Sequence, residues 1–235
     1  MADDLEVLKP KGSCLGKLTV LFAFAGVAAL GVALFFITQA QDLSDIAGRK
    51  PAAGEEKARD LRAVLKSAVE DSYPVTLTEE EVNRYLRQTL AARQGGLLEK
   101  AAALEGVRVR LEKDRAEIIT ERTVAGWPVT LSMYVRVEQT IDVKGKIRTS
   151  VAREGGPYLP EVPRLEHLLK GGRFGQLVVP QGFLLLVLPG FEKLATVYKD
   201  EIHYGFEEMA RITLEEGKLV LDPRPEGDAG LPGEF

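Results

Sequence analysis

The chain has 235 residues with 31 basic and 35 acidic side chains, and its only cysteine is Cys14. A single cysteine excludes an intramolecular disulfide, and with only two histidines beside it no zinc site of ordinary composition can be built. Acids and bases balance within residues 57–223, and a neutral domain argues against nucleic acid as a partner.

Residues 1–17 form a short stub of mixed charge. Cys14 stands four residues before an apolar run, where a palmitoyl group can attach; a free thiol in a reducing compartment is the plainer reading. The run Leu18–Ile37 holds no charge and only Thr19 as a polar side chain. As a helix it would reach ~30 Å, about one hydrocarbon core, and the transmembrane helix is assigned to residues 18–38. Its apolar length exceeds the about 7–15 residues of a cleavable signal. The best cleavage candidate, Thr38-Gln39-Ala40, opens on a mediocre residue. An uncleaved anchor is therefore the expectation and a signal peptide the alternative. Lys9, Lys11 and Lys17 before the run, against Arg49 and Lys50 after it, favour a cytoplasmic N-terminus. That makes the chain a single-pass protein of the inner (plasma) membrane with an extracytoplasmic domain. Ala25, Ala29 and Ala33 form a small-residue row that suits close helix approach, although ordinary alanine usage accounts for it.

Residues 39–56 contain Gly48, Pro51 and Gly54 with few apolar anchors, and read as a flexible linker. Residues 57–223 are long enough for one ectodomain with its own core. A helix is expected over Glu56–Asp71, with Leu61, Val64, Leu65, Ala68 and Val69 in one stripe. After a short extended piece at Val75–Leu77, Thr78 and Glu81 form a capping box for a helix that stops near Gly95. Glu79, Glu80 and Glu81 look like an acid site, but the dipole of a first helical turn explains them.

Leu97–Leu104 reads as a further short helix. From Val107 the period changes to two, giving a half-buried strand to Glu112, and Ala116–Val124 is its return. Glu117 and Glu121 are expected to face Arg108 and Arg110 across that ladder as a solvated, paired surface. Val129, Leu131, Met133, Val135, Val137, Ile141 and Val143 then share one face, broken only by Gln139. Thr130, Ser132 and Tyr134 take the other, so a charge at Tyr134 should be far milder than one at Val135. This run exceeds the usual strand of about 3–10 residues, which implies a bent strand or a bulge near Gln139. Ile147–Arg153 is the fourth strand.

Residues 154–163 read as a loop and Arg164–Lys170 as a two-turn helix. Leu177–Pro180 is an extended entry to the apolar run Phe183–Leu188. Phe191, Leu194, Ala195, Tyr198, Ile202, Phe206 and Met209 trace one helical stripe. A hairpin of 210–214 and Lys218–Asp222 closes the domain, and residues 224–235 form a disordered tail. The fold class is therefore α+β: an N-terminal transmembrane helix, then one ectodomain with a curved antiparallel sheet packed on helices. His167 and His203 both lie off the apolar stripes. No nucleophile elbow, phosphate loop or zinc-protease motif is present, so neither catalysis, a metal nor a cofactor is expected.

Two motifs carry a resemblance. Thr78-Glu79-Glu80-Glu81-Val82-Asn83 opens a helix, and Gly175-Gln176-Leu177-Val178-Val179-Pro180 leads into an apolar one. With the single anchor, the alternating strands and the closing strand pair, the layout resembles bacterial membrane-anchored proteins with ectodomains like the tubular lipid-binding (TULIP-like) superfamily. That resemblance implies a curved sheet wrapped on a helix, with a groove for acyl chains. The expected function is binding of a lipid or another long apolar ligand, lined by Leu131, Met133, Val135, Val137, Phe183, Leu186 and Val187. The alternative is a structural or scaffolding domain, with no ligand cavity, that docks on other envelope proteins.

Overall fold

The computed structural model describes residues 14–48, 57–93, 102–124, 126–141, 147–153 and 171–225. It is α+β. Helix α1 (Cys14–Thr38) is 25 residues long, roughly 38 Å at the usual rise, and is long and apolar enough to cross a membrane. Helix α2 (Leu61–Glu70) starts where the Asp60 side chain accepts the Ala63 amide at 3.3 Å, a cap that shortens the expected element at its front. Leu61, Leu65 and Ala68 are its buried stripe. Strand β1 (Val75–Thr78) runs straight into α3 (Glu79–Arg93) through the expected capping box: Glu81 N donates to Thr78 Oγ1 at 3.2 Å and Thr78 N to Glu81 Oε2 at 3.0 Å.

Two antiparallel sheets follow. The larger holds β2 (Ala102–Glu112), β3 (Arg115–Val124), β4 (Trp127–Ile141), β5 (Ile147–Arg153), β6 (Gly172–Phe174) and β7 (Leu177–Val179). Its order is β2-β3-β4-β6-β7, with β5 also on β4. The smaller places β1 beside β9 (Lys218–Asp222), which pairs with β8 (Arg211–Glu215). Residues 102–104 of the expected helix at Leu97–Leu104 are strand, and the rest of it lies outside the described residues. So do the loop at 154–163 and the helix at 164–170.

The length of β4 has a simple cause. On one edge it meets β3, and on the other it serves two partners in turn, β6 along Leu131–Met133 and β5 along Val135–Ile141. No bulge occurs at Gln139, which stays in register with Thr149. Its side chain donates to Thr149 Oγ1 at 2.9 Å and to the Met209 carbonyl at 3.2 Å, and accepts the Ile212 amide at 2.9 Å. The polar interruption in the apolar series thus ties the two sheets together. The bulge lies instead at Leu104/Gly106 in β2.

Past β7, α4 (Gln181–Leu184) opens the apolar run, and α5 (Leu188–Val197) and α6 (Lys199–Ile202) replace the single helix expected over Phe191–Met209. A π turn at His203–Glu207 completes the run, with Glu208 N donating to the His203 carbonyl. Pro189 sits in the first turn of α5, where a missing amide costs nothing. One cluster unites the elements: Leu65, Leu77, Leu111, Met133, Val135, Leu184, Phe191, Met209 and Leu221 all belong to it.

Candidate functional site

The distinctive geometry lies where α1 meets the large sheet. A helix ends with unpaired carbonyls, which are costly near lipid. Here the β6–β7 turn supplies a donor: the Gln176 amide gives a 3.0 Å bond to the Phe36 carbonyl, and Gly175 N bonds the Thr130 carbonyl of β4 at 2.7 Å. Gly175 has φ +56, and a Cβ there would stand within 2.6 Å of the carbonyl oxygens of Phe36, Ile37 and Gln39. Only glycine permits that approach.

Beyond α1 the chain does not hang free. Residues 41–48 cross the large sheet on the face opposite the main core. Gln41 N donates to Thr130 Oγ1 at 2.9 Å. Leu43, only 1% exposed, and Ile46 pack on Ile119 as a small core of their own. At the far end Glu79, buried on α3, accepts the Ala47 amide at 3.0 Å and the Leu111 amide at 2.8 Å. Asn83, fully buried, gives Nδ2 to the carbonyls of Val109 (2.8 Å) and Ala47 (3.1 Å) and takes the Val109 amide at 2.7 Å. Gly48, at φ +70, comes so close to Glu80 that a Cβ would lie 2.6 Å from its carbonyl oxygen. The expected flexible linker is thus, over 41–48, a strap bound at both its ends, to β4 in the middle of the sheet and to α3 beside the β2 edge. Two large apolar residues, Leu43 and Ile46, in an otherwise polar stretch were the available sign.

Under the strap the sheet face is charged yet buried. Glu117 is fully buried, accepts Ser132 Oγ at 2.5 Å and pairs with Arg110; Arg110 also reaches Asp45 of the strap at 3.1 Å. Arg108 is buried too and pairs with Glu121 at 3.3 Å. The expected pairing across β2 and β3 is present, but the expected solvation is not. Burial pulls the Arg110 guanidinium down, and the Glu117 and Asp45 carboxylates together outweigh it, so its net displacement is upward. Burial pushes the Tyr134 phenol up, with Glu117 adding to it. Tyr134 is 3% exposed under the Arg115 guanidinium, 4.6 Å above its ring, so the expected solvent face of β4 is interior at this level. Asp42, Ser44, Asp45, Arg110, Glu112 and Arg173 line an open polar basin beside the strap. Among the described residues no group of three His, Cys, Asp or Glu can hold a metal ion.

The expected lining residues divide. Met133 and Val135 lie in the main core, Val137 and Val187 pack against it, and Leu131 is half-buried. The member of the apolar run that meets them is Leu184, 1% exposed; Phe183 and Leu186 turn outward, 55% and 76% exposed. The structure therefore does not bring Phe183 and Leu186 against β4. The run has two faces after all, because α4 ends at Leu184 and the chain turns before α5.

The sequence matches no family model and no curated protein.

Proposed function

We propose that the protein is a single-pass scaffolding domain of the cell envelope, with α1 as an uncleaved span, its N-terminus in the cytoplasm, and its folded part held outside as a docking platform. The junction carries this reading. The last carbonyls of α1 are met by a turn built around Gly175, and the next residues form a strap in the domain's own structure. A disposable leader has no use for such a fit, whereas a fixed platform requires one. The lysines before α1 support the orientation. The packing of Met133 and Val135 with Leu184 and Phe191 supports a filled interior over an acyl-chain groove, and the polar basin is the surface left open to other envelope proteins.

The test has two parts. The chain recovered from membranes should retain its N-terminus; a mature form beginning at Gln41 would sink the anchor. The folded part, produced from Gln41 onward and extracted for mass spectrometry, should carry no stoichiometric lipid. Val135→Phe should destabilise it by about 1–3 kcal/mol through overpacking. Bound lipid together with tolerance of the larger side chain would restore the groove reading.

A further inference from the structure

We propose that the domain makes a second contact with the bilayer that α1 spans, through the tip of the β3–β4 hairpin and the outward side chains of the run 183–186. The proposal rests on α1 being a membrane span.

Three placements converge on one end of the large sheet. The β6–β7 turn that receives α1 lies beside Thr130, since Gly175 N bonds its carbonyl. From Thr130, β4 runs back three residues to Trp127, so the hairpin tip projects ~10 Å beyond that level. The apolar run heads the same way. Leu184 stands over Gly172, which pairs with Met133, whereas Gly190 comes against Arg122, which pairs with Val129 and lies nearer the tip. Between these two points Leu185 and Leu186 face outward.

The faces agree as well. Val124 and Trp127 are partners at the tip. By strand alternation they share the side of Ile118 and Met133, which is the side that carries α4 and α5. Five exposed apolar groups therefore lie on this half of the sheet: Trp127 at 66% and Val124 at the tip, Leu185 and Leu186 toward it, and Phe183 beside Leu184 near the level of Met133. No charged residue occurs from Gln181 to Phe191. Apolar surface of this extent calls for an occupant. Continuity with the span identifies it as the bilayer, where tryptophan favours the interfacial layer.

Trp127 is the only tryptophan and so reports its own depth. The full chain is reconstituted into phosphatidylcholine vesicles whose acyl chains do or do not carry bromine, and flotation independently establishes the span. The expected result is emission to the blue of a hydrated indole, with roughly twofold or greater quenching by the brominated lipid, as for a ring in the interfacial layer. A second protein, Trp127→Phe with Leu186→Trp, should be quenched likewise. Floating vesicles with unquenched emission at the hydrated position would overturn the contact while leaving the anchor intact. Blue-shifted but unquenched emission would mean that protein, such as a second copy, covers the patch, and would also overturn it. Failure to float would remove the span and the proposal together.

Discussion

At the scale of single residues, the main lesson is that β4 is buried on both faces over its middle stretch, Thr130–Val135. Thr130 and Ser132 lie under the strap, Tyr134 lies under the Arg115 guanidinium, and Met133 and Val135 lie in the main core. Alternation in the sequence identifies which residues share a face but does not reveal that a distant segment covers the polar one. Tyr134→Ala should therefore cost about 3 kcal/mol, in the range for a buried aromatic, and rival Val135→Ala; a solvent-facing tyrosine would lose less than about 0.5. Denaturant midpoints of the two variants decide it. Asp222 gives a second prediction. It accepts Arg224 Nε at 2.9 Å, Arg224 Nη2 at 3.1 Å and the Arg224 amide at 3.0 Å, and it pairs with Arg211. The Arg224 side chain chiefly, against an opposing contribution from burial, holds its carboxyl down at about 2, below the ordinary 3.8. A depressed carboxyl stabilises the fold above its unfolded value and loses that contribution as pH falls through its folded one. The stability gap between the protein and Asp222→Asn should be constant above about pH 4 and close as pH drops toward 2. A gap that persists in acid would show that packing, not charge, sets it. Arg224, assigned to the tail, in fact folds back onto β9.

At the scale of elements, the two motifs noted in the sequence acquire reasons. In the first, Thr78 and Glu81 cap α3, while Glu79 and Asn83 bind the strap and the outer edge of β2. The helix dipole explains an acid at Glu79, but its carboxylate is committed to two backbone amides. In the second, Gly175 is the residue on which α1 seats. Gly175→Ala adds both left-handed strain and a Cβ against three carbonyls. It should detach the β6–β7 turn from α1 without unfolding the core, and hydrogen exchange at the Gln176 amide should rise well above its rate in the unaltered protein. Unchanged exchange would mean that α1 is not seated there. Most elements were legible because their signals are local: the capping box, the period-two strands and the closing hairpin around Gly217. What escaped is non-local. The β6–β7 hairpin has only three residues per strand and is held by its pairing with β4. The stripe from Phe191 to Met209 kept helical spacing while the backbone broke at Tyr198.

At the scale of the whole molecule, the functional question is where the folded unit begins. Composition places the boundary at Lys57, after a polar, glycine- and proline-bearing stretch. The packing places it at Gln41. Leu43 and Ile46 are almost fully buried with Ile119, and burial of an aliphatic side chain contributes about 1.5–3 kcal/mol. The strap also supplies Asp45 to Arg110 and the Ala47 amide and carbonyl to Glu79 and Asn83. Removing it would open the fully buried Glu117 to water, which lowers the cost of that charge but leaves Glu79 and Asn83 short of partners. The apolar loss should dominate, since water can replace the lost polar partners at little net cost. A chain beginning at Lys57 is therefore expected to be less stable than one beginning at Gln41 by at least about 3 kcal/mol, seen as a lower denaturant midpoint. Leu43→Ala with Ile46→Ala in the longer chain should reproduce most of that loss. Equal stability of the two chains would mean that 41–48 is a tether after all. With α1 as the proposed anchor, the domain would then swing on it, and both the proposed platform and the proposed second membrane contact would lose their mechanical basis.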